Sequence, residues 1–458
     1  MIRWHDDFNP GDIAFLFIAI AAQILLVLPA LGLFYQGMAD RGGLPALIPK
    51  LIPLMAVMSL TWCLWAFSLA FAPGPGTVPE IDFNTPLPVL NSLQEMMEIG
   101  DAKEDESATH GRGGIFGGEN FLNFQGQTPL SGAQRPLFPS RRPFYQIPHL
   151  LFMALHMMLF VAAPIPLLLL LVERIRPGGI LVFAMFWGSF VYSPLAHWVW
   201  GDGWLESLGV IDSGGGLIQV GIGFSALAFV VAPGIKQRAQ ASEVGLATDE
   251  NSQRMVIVSL GALAYWVGMS IVNSALGMHA DGRAAVTFVN SFLAGSAGAL
   301  SGVIASSLIR GRADQSAACT GAIAGLVAVS TGCGLMLPQS CLITGGAAAA
   351  FCCVVAELLQ AQRKGHESLF VFVLQGVAGG IGGILAGVFA TSSVAGFRWD
   401  GRIIEGAIEG NVGQVEVQLV GLFAAAAWGF VGTFIVLTLI NFLFGFRAEE
   451  KPDTTIVA

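Results

Sequence analysis

Residues 214–234 read GGGLIQVGIGFSALAFVVAPG, a run that carries no charged side chain. A bilayer core is spanned by about 20 predominantly apolar residues, so this run predicts a transmembrane helix. Its amide side chain, Gln219, stands between apolar neighbours and close to Gly221. An amide inside a bilayer is unfavourable unless it hydrogen-bonds or lines a cavity, and glycine lets another backbone or a small substrate approach. The stretch therefore predicts a membrane helix with a polar position along its length.

The composition of the chain extends this prediction to a polytopic membrane protein. Of the 458 residues, 54% are hydrophobic and 12% are charged, with a mean hydropathy of +0.69. A soluble domain carries about 25% charged residues. The net charge of −9 and the lack of a basic run argue against nucleic-acid binding. The six cysteines lie in apolar segments without metal-type spacing, so neither a disulfide framework nor a metal site is predicted.

Eleven segments have the length and apolar character of membrane-spanning helices. The predicted spans cover residues 11–36, 50–72, 146–171, 179–199, 214–234, 255–274, 286–308, 317–335, 340–359, 369–391 and 415–445. This pattern predicts an all-α polytopic membrane protein.

The basic residues predict how these spans are oriented. The segments predicted to lie inside contain Arg41, Lys50, Arg174, Arg176, Lys236, Arg238, Arg254, Arg310, Arg312, Arg363, Lys364, Arg447 and Lys451. The short segments predicted to lie outside contain Arg3, Arg283, Arg398 and Arg402. Because basic residues are enriched in cytoplasmic loops, the N-terminus is predicted outside and the C-terminus inside a cytoplasmic or inner membrane.

One long insertion interrupts the series of spans. Residues 73–145 form a predicted outside loop between spans 2 and 3, which opens with acidic residues and ends with basic ones. Its glycine and proline content predicts a partly disordered cap. A role in covering the entrance or in binding an extracytoplasmic partner is the alternative. Residues 446–458 form a short predicted cytoplasmic tail.

The second half of the chain repeats the pattern of the fifth span. Gln375 lies in the tenth predicted span, within the glycine-rich run LQGVAGG at residues 374–380. Five spans per half is an odd number, so the two halves would have opposite orientations in the membrane. Inverted repeats of this kind place substrate sites near the midplane. The sequence therefore predicts an inverted 5+5 repeat plus a final helix, with Gln219 and Gln375 approaching the middle of the bilayer.

Several stretches resemble the Amt/Rh ammonium transporter family across nearly the whole chain outside residues 73–145 and the tail. They are Leu31 to Gly37, Phe67 to Phe71, Glu173 to Arg176, Tyr192 to Leu205, Asp212 with the glycines that follow, Gly282 to Ala285, Phe288 to Asn290, and Gly321 to Ala328. The resemblance implies one membrane domain over residues 1–458, with eleven spans and an inverted repeat. It also implies a homotrimer with one pore per subunit.

The resemblance implies an outer ammonium site. Trp200 stands where the family has an aromatic residue that holds the ion by cation–π attraction, which contributes about 0.5–2 kcal/mol. Ser274 resembles the hydroxyl that accepts a hydrogen bond at that site, and Asp212 resembles the nearby carboxylate. Read without the family, these residues would be an interfacial tryptophan and a helix-capping aspartate.

The gate beneath that site departs from the family pattern. The family stacks two phenylalanines there, whereas counting back from Glu173 places Leu159 and Leu155 at the positions on span 3. The partner on span 6 falls near Met269 if one gap is introduced. Such a gate excludes water but offers no π-face to a cation.

The mid-pore departs further. Gln375 falls where the resemblance places the second of two pore histidines, and the first falls on Gln219 or on Val220, depending on one gap. Phe370 stands where a carboxylate is expected. Glutamine donates and accepts hydrogen bonds but does not titrate, so a proton relay through this pair is not predicted. His156, where the family usually has glutamine, is either a hydrogen-bonded structural residue or a displaced proton carrier at the mid-pore.

The leading functional prediction is a transmembrane channel-type transporter for ammonium or ammonia with altered or weak conduction. The alternatives are a non-conducting protein that binds or senses ammonium on the same fold, and a channel for another small neutral molecule such as carbon dioxide. No nucleophile–base pair, phosphate-binding loop or metal-spaced cluster is present in the sequence, so neither an enzyme nor a cofactor is predicted.

Overall fold

The computed structural model describes residues 8–38, 48–71, 147–172, 174–201, 203–232, 252–361, 367–396 and 403–446. The insertion at residues 73–145, and the tail beyond Phe446, lie outside the described residues, so the predictions about them remain predictions. The regular secondary structure of the described residues is helical, and Met336 and Ala390 form an isolated antiparallel bridge.

Nine helices in the described part of the chain are long and apolar enough to cross a membrane, and two shorter apolar helices complete the series. In chain order, spans 1 to 11 are Pro10–Tyr35, Leu51–Phe71, Leu150–Leu168, Pro177–Leu208, Gly216–Val231, Arg254–Ala275, Gly282–Arg310, Gln315–Ser330, Pro338–Leu359, Glu367–Phe389 and Gly413–Phe444. The predicted all-helical membrane fold is thereby confirmed. The shorter spans 5 and 8 are largely buried among the other helices.

Most predicted boundaries agree with these helices to within a few residues. The largest difference is at the end of span 4, which was predicted at residue 199 and which includes the additional short helix Trp204–Leu208 after the helix that ends at Trp200.

Span 8 was predicted to reach residue 335 but its helix ends at Ser330, and a turn follows. The backbone oxygen of Thr331 accepts a hydrogen bond from the N–H of Ser213 at 2.9 Å, and this bond stabilises the turn. In span 3 the helix His149–Ala162 ends just before Pro164, which cannot donate to the preceding turn.

Among the residues that the structure describes, four spans contain a π-helical turn. These turns are Gln23–Val27 in span 1, Trp62–Ala66 in span 2, Gly188–Tyr192 in span 4 and Phe372–Val377 in span 10. A π turn inserts an extra residue into the helix, rotates the face beyond it and is frequent at functional sites. The turn in span 10 contains Gln375, so the insertion sets the direction of that side chain.

Spans 5 and 10, the equivalent members of the two predicted halves, cross at two glycines. A Cβ atom added to Gly223 would lie 2.1 Å from the backbone nitrogen of Gly376 and 2.3 Å from its Cα. The two backbones therefore touch where neither residue has a side chain, as small residues permit in membrane helix packing. This crossing brings the glycine-rich segments of both halves together at the centre of the bundle.

The two ends of the bundle differ in their polar contacts. At one end, Arg310 contacts Glu357 at 2.8 Å and Asp314 at 3.2 Å. At the same end, Arg174 lies 3.9 Å from Glu367. The opposite end holds the connections between spans 4 and 5, 6 and 7, and 8 and 9. The candidate residues Trp200, Asp212 and Ser274 all lie at that opposite end.

Candidate outer cation site and mid-membrane polar pairs

Asp212 organises the connection that enters span 5. One carboxylate oxygen accepts hydrogen bonds from the backbone N–H groups of Gly214, Gly215 and Gly216, at 3.3, 2.7 and 3.0 Å. The other accepts from Leu217 at 2.8 Å. Gly216 and Leu217 begin the helix of span 5, where the first N–H groups have no acceptor within the helix itself, and Gly214 and Gly215 directly precede it. Asp212 thus caps span 5 with both of its oxygens.

Trp200 is held against this cap. Its indole Nε1 donates to the backbone oxygen of Asp212 at 3.0 Å. Gly215 has a positive φ of 83°, and a Cβ atom there would lie 3.1 Å from the Trp200 ring. Glycine at this position therefore provides both the left-handed turn and the space for the indole. The ring is half-buried, with its orientation fixed by a main-chain hydrogen bond.

Ser274 and Asn273 bring the end of span 6 to the same place. Ser274 donates its hydroxyl hydrogen to the backbone oxygen of Ile271 at 2.7 Å, so its oxygen lone pairs remain as acceptors. The neighbouring Asn273 donates to Ser291 at 3.1 Å. A Cβ atom added to Gly214 would lie 3.0 Å from the Asn273 side-chain oxygen, so span 6 ends beside the Asp212 cap.

The electrostatic character of this end depends on Asp212. Burial raises the pKa of its carboxyl group to about 6, although its four backbone N–H donors act in the opposite direction. The negative charge is therefore present above about pH 6 and is lost as the pH falls through that value. A cation near Trp200 gains attraction from Asp212 only on the alkaline side of this range.

His156 lies with this outer group. Its ring centroid is 5.8 Å from that of Trp200, 4.3 Å from Phe152 and 4.7 Å from Phe71. The sequence assigned His156 to the mid-pore, either as a structural residue or as a displaced proton carrier. We group it instead with the outer site, because span 3 presents it to the end of span 4 that carries Trp200.

The residues predicted to form the gate lie in one continuous hydrophobic core. Leu155 and Met269 are buried, and Leu159 packs against the same core as a partly buried side chain. Leu155 directly precedes His156, so the apolar positions of span 3 begin next to the outer aromatic residues. That these side chains form a gate remains a prediction.

Gln375 is hydrogen-bonded to a tyrosine on span 1. Its amide nitrogen lies 2.8 Å from the hydroxyl oxygen of Tyr35, and both side chains are buried. The Gln375 side-chain oxygen has no hydrogen-bond partner within the described part of the chain. Phe370, at the position where a carboxylate was expected, packs edge-to-face on Tyr35 with ring centroids 6.1 Å apart. The Phe370 ring therefore covers one side of the hydrogen-bonded Tyr35–Gln375 pair.

Gln219 has a tyrosine partner of its own. Its side chain is hydrogen-bonded to Tyr265 on span 6, and the Tyr265 and Tyr35 phenols lie close enough to interact electrostatically. Val220, not Gln219, faces span 10, because a Cβ atom added to Gly379 would lie 3.0 Å from Val220 Cγ2. Of the two candidates for the first pore-histidine position, Val220 therefore lies on the face of span 5 that meets span 10.

The two tyrosines were not identified as site residues from the sequence. The chain contains four tyrosines, and Tyr35 and Tyr265 lie in apolar spans. A buried tyrosine hydroxyl usually has a hydrogen-bond partner. Tyrosines inside otherwise apolar helices were therefore a signal for polar contacts in the membrane, although that signal does not reveal which residues are the partners.

The Tyr35→Phe variant is expected to reduce the free energy of unfolding by about 0.6–2 kcal/mol, because the buried Gln375 amide loses its hydroxyl partner. Tyr192 provides a matched control. Its hydroxyl is buried without a hydrogen-bond partner among the residues that the structure describes. Tyr192→Phe should therefore leave stability unchanged or raise it. SDS-induced unfolding in mixed micelles measures both, and equal losses in the two variants would contradict the role assigned to the Tyr35–Gln375 pair.

Over the described residues, no group of three or more His, Cys, Asp or Glu side chains is arranged to hold a metal ion. The arrangement offers instead an aromatic face beside a carboxylate at one end and neutral hydrogen-bonding pairs deeper in the bundle. These features define a polytopic helical membrane protein whose outer end carries a tryptophan held against a helix-capping carboxylate.

The chain belongs to the Ammonium Transporter Family, whose sequence model matches residues 112–455. It is 27% identical over 445 residues to the ammonium transporter of Bacillus subtilis, covering 97% of this chain and 95% of that protein. It is also 27% identical to ammonium transporter 2 of Schizosaccharomyces pombe, covering 98% and 80%. The crystal structure of Saccharomyces cerevisiae Mep2 superimposes with a TM-score of 0.78 at 25% identity, covering 99% of this chain and 91% of that one.

These matches confirm the predicted family and the membrane-transporter class over nearly the full length of the chain. Members of the family are transporters and not enzymes, in agreement with the prediction from the sequence. Three predictions are finer than these matches and stay predictions. They are the substitution of the pore histidines, the orientation in the membrane and the trimer.

Proposed function

We propose that this protein binds ammonium at the Trp200 site and passes ammonia across the membrane as a neutral molecule, with weak or absent proton coupling. The ammonium ion releases its proton to the aqueous solution on the outer side before ammonia enters the apolar path. The observation that carries this proposal is the chemistry of the mid-membrane. The candidate pore-histidine positions, Gln219 or Val220 on span 5 and Gln375 on span 10, carry no imidazole, and the polar groups nearby are amides and phenols. None of these groups exchanges a proton near neutral pH, as an imidazole does.

The outer site supplies the first step. The Trp200 face attracts a small cation, and the Asp212 carboxylate adds negative potential above about pH 6. The Ser274 hydroxyl donates its hydrogen to Ile271, and this supports our proposal that its oxygen accepts a hydrogen bond from the ion. A neutral molecule that leaves this site meets apolar side chains of spans 3 and 6, which exclude charge.

The deeper polar pairs fit ammonia as a neutral species. The Gln375 oxygen is an acceptor without a partner in the described residues, and the Tyr35 hydroxyl can donate as well as accept. Ammonia has N–H donors and one lone pair, so both groups could be satisfied by one molecule. We therefore propose Tyr35 and Gln375 as the hydrogen-bonding position along the path.

Solid-supported-membrane recordings test the proposal on proteoliposomes. An ammonium pulse is expected to give a current at least about tenfold below that of a twin-histidine relative reconstituted at equal density, because no titratable pair returns or carries the proton. In stopped-flow measurements the same vesicles should show ammonia-dependent internal pH changes faster than empty vesicles. A current as large as that of the relative would contradict the proposal.

The remaining functions appear as different outcomes of the same measurements. Ammonium binding with pH changes no faster than those of empty vesicles would identify a non-conducting binding or sensing protein. If protein-containing vesicles show faster internal pH changes than empty vesicles with carbon dioxide but not with ammonia, the protein is a channel for carbon dioxide. The Trp200→Leu variant should lose ammonium binding. Trp204→Leu is the matched control and should keep it, because the Trp204 ring packs on Trp198, with ring centroids 5.7 Å apart.

We also propose the homotrimer and the orientation with the Trp200 end outside. Large apolar side chains such as Leu308, Phe423 and Phe442 are exposed on spans 7 and 11 and need either lipid or another subunit. Native mass spectrometry measures the oligomeric state. Asp281 caps span 7 at the Trp200 end. An Asp281→Cys variant that reacts with a membrane-impermeant thiol reagent on intact cells would show that this end lies outside.

A further inference from the structure

Spans 1 and 6 pack as an antiparallel pair through two glycines of span 6. A Cβ atom added to Gly261 would lie 2.7 Å from the backbone nitrogen of Phe34, and one added to Gly268 would lie 2.7 Å from Val27 Cγ2. The contacted positions descend along span 1 as they ascend along span 6, so the two helices run in opposite directions. Glycine permits such close packing of membrane helices. The first turn of each helix therefore lies beside the last turn of the other.

Arg254 holds the last turn of span 1. It is the third residue of the helix Ser252–Ala275. Its Nε donates to the backbone oxygen of Gly37 at 2.6 Å, and its Nη2 donates to that of Met38 at 3.1 Å. Carbonyl groups in the last turn of a helix have no donor within the helix itself. Tyr35 lies in this same turn, because the helix of span 1 ends at Met38.

The charge of Arg254 fits this contact. A cation is unfavourable at the N-terminus of its own helix and favourable at the C-terminus of another. The position of Arg254 at the start of span 6 is therefore explained by span 1. Without its two hydrogen bonds, the last turn of span 1 would fray from Met38 towards Tyr35. The Tyr35 hydroxyl would then move away from the Gln375 amide, which lies 2.8 Å from it.

Asp12 makes the corresponding contact at the opposite end of the pair. It is the third residue of the helix Pro10–Ala22 and is buried. One carboxylate oxygen accepts from the backbone N–H of Ala280 at 2.7 Å, and the other lies 3.2 Å from His279 Nδ1. Both partners belong to the connection that follows span 6. Ser274 lies in the last turn of that span, whose helix ends one residue later.

We infer that Arg254 and Asp12 are positioning residues, each of which holds the end of the neighbouring span and the functional side chain on it. Arg254 positions Tyr35 for its pair with Gln375. Asp12 positions Ser274 for the ammonium site. This inference rests on the proposed function, which gives those side chains their roles. The two residues act on different steps, because the first affects the rate of ammonia passage and the second affects the affinity for ammonium.

Stopped-flow pH measurements on proteoliposomes test the role of Arg254. Arg254→Met removes both donors and should lower the rate of ammonia passage about 3- to 10-fold, as Tyr35→Phe does, because each change removes one hydrogen bond along the path. The double variant should be no slower than either single variant, since both changes remove the same interaction. Arg310→Met is the matched control at the same end of the bundle. It breaks contacts with other residues and should leave the rate unchanged.

Arg254→Lys provides the conservative variant. Lysine keeps the charge but lacks the planar fork that reaches two carbonyl oxygens, so it should recover part of the lost rate. If Arg254→Met does not fold, Arg254→Lys takes its place, alone and combined with Tyr35→Phe. A wild-type rate in Arg254→Met, or losses that multiply in the double variant, would overturn the role of Arg254.

Isothermal titration calorimetry with ammonium chloride tests Asp12 on the purified full-length protein. Asp12→Ala should weaken binding about 10-fold, as Ser274→Ala does, and the double variant should bind no more weakly. Asp12→Asn removes the charge but keeps an oxygen that accepts from Ala280, so it should bind nearly as the wild type does. If Asp12→Asn binds as weakly as Asp12→Ala, the carboxylate acts through its charge and its positioning role is wrong.

The two readouts also separate positioning from a general loosening of the fold. Arg254→Met should keep the wild-type affinity for ammonium, because the site around Ser274 lies at the other end of the pair. A loss of affinity in that variant would mean that Arg254 supports the whole bundle and does not act through Tyr35.

The outcomes distinguish this inference from the proposed function. If wild-type vesicles pass ammonia no faster than empty ones, or if Tyr35→Phe conducts as the wild type does, the proposed path is wrong and the role of Arg254 fails with it. If the wild type binds no ammonium, the role of Asp12 fails with the outer site. If Tyr35→Phe and Ser274→Ala show their expected losses and the double variants lose more, the path and the site stand and the positioning roles are wrong.

Discussion

The Asp212→Ala variant is expected to lose about 3 kcal/mol or more of its free energy of unfolding and to lose ammonium binding at the outer end. Four backbone N–H groups, from Gly214 to Leu217, would be left without their carboxylate acceptor. A hydrogen bond to a charged acceptor contributes about 1.5–3 kcal/mol, and a buried donor without a partner costs about 1–3 kcal/mol. Unfolding by SDS in mixed micelles and ammonium calorimetry measure the two effects.

A second helix cap provides the control for this experiment. Asp281 caps span 7 through one hydrogen bond to the N–H of Ala284, at 2.9 Å. Asp281→Ala should cost about 1 kcal/mol, the usual effect of losing one cap. The difference between the two variants measures what Asp212 does beyond ordinary capping, which includes holding the backbone oxygen that fixes Trp200. Equal losses would show that the multiple hydrogen bonds of Asp212 carry no additional stability.

The Gly223→Ala variant is expected to lose about 3 kcal/mol or more and to lose transport. The added methyl group would lie 2.1 Å from the backbone nitrogen of Gly376 and 3.1 Å from the carbonyl carbon of Gln375. Backbone atoms cannot rotate away as a flexible side chain can, so spans 5 and 10 must separate. That separation displaces Gln375 from Tyr35 and breaks the polar pair at the same time.

Gly380 is the matched control on span 10. A Cβ atom added there meets no atom of the described residues within 4 Å, so Gly380→Ala introduces the same methyl group without a clash among them. Because alanine favours helix over glycine by about 0.5–1 kcal/mol, its stability should be unchanged or slightly raised. If Gly223→Ala proved as stable as Gly380→Ala in SDS titrations, the close crossing of spans 5 and 10 would be wrong.

Much of the fold could be predicted because membrane helices are specified locally. Each span needs enough apolar residues in sequence to cross the bilayer, and hydropathy alone locates such runs. The early end of span 8 was missed because its turn depends on a hydrogen bond to Ser213, more than a hundred residues away. The π-helical turns were missed for a related reason, since one extra residue in a helical turn leaves no mark on hydropathy.

The outer site was partly predictable because some of its contacts are local. Trp200 and Asp212 are separated by a short connection, and the carboxylate bonds amides within five residues of itself. His156 could not be assigned in this way, because its neighbours Phe71 and Trp200 come from two other spans. Counting residues places a side chain along a helix but does not establish which distant ring it meets.

The sequence by itself determined the membrane class, the family and the apolar spans, and it located an amide side chain in each of spans 5 and 10. It determined these because hydropathy, motif spacing and residue type are properties of the chain alone. Only the tertiary structure decided that Gln219 turns to Tyr265, that Gln375 turns to Tyr35, and that Val220 faces span 10. One residue along an α-helix rotates the side chain by about 100°, so the partner of each glutamine depends on helix rotation and crossing.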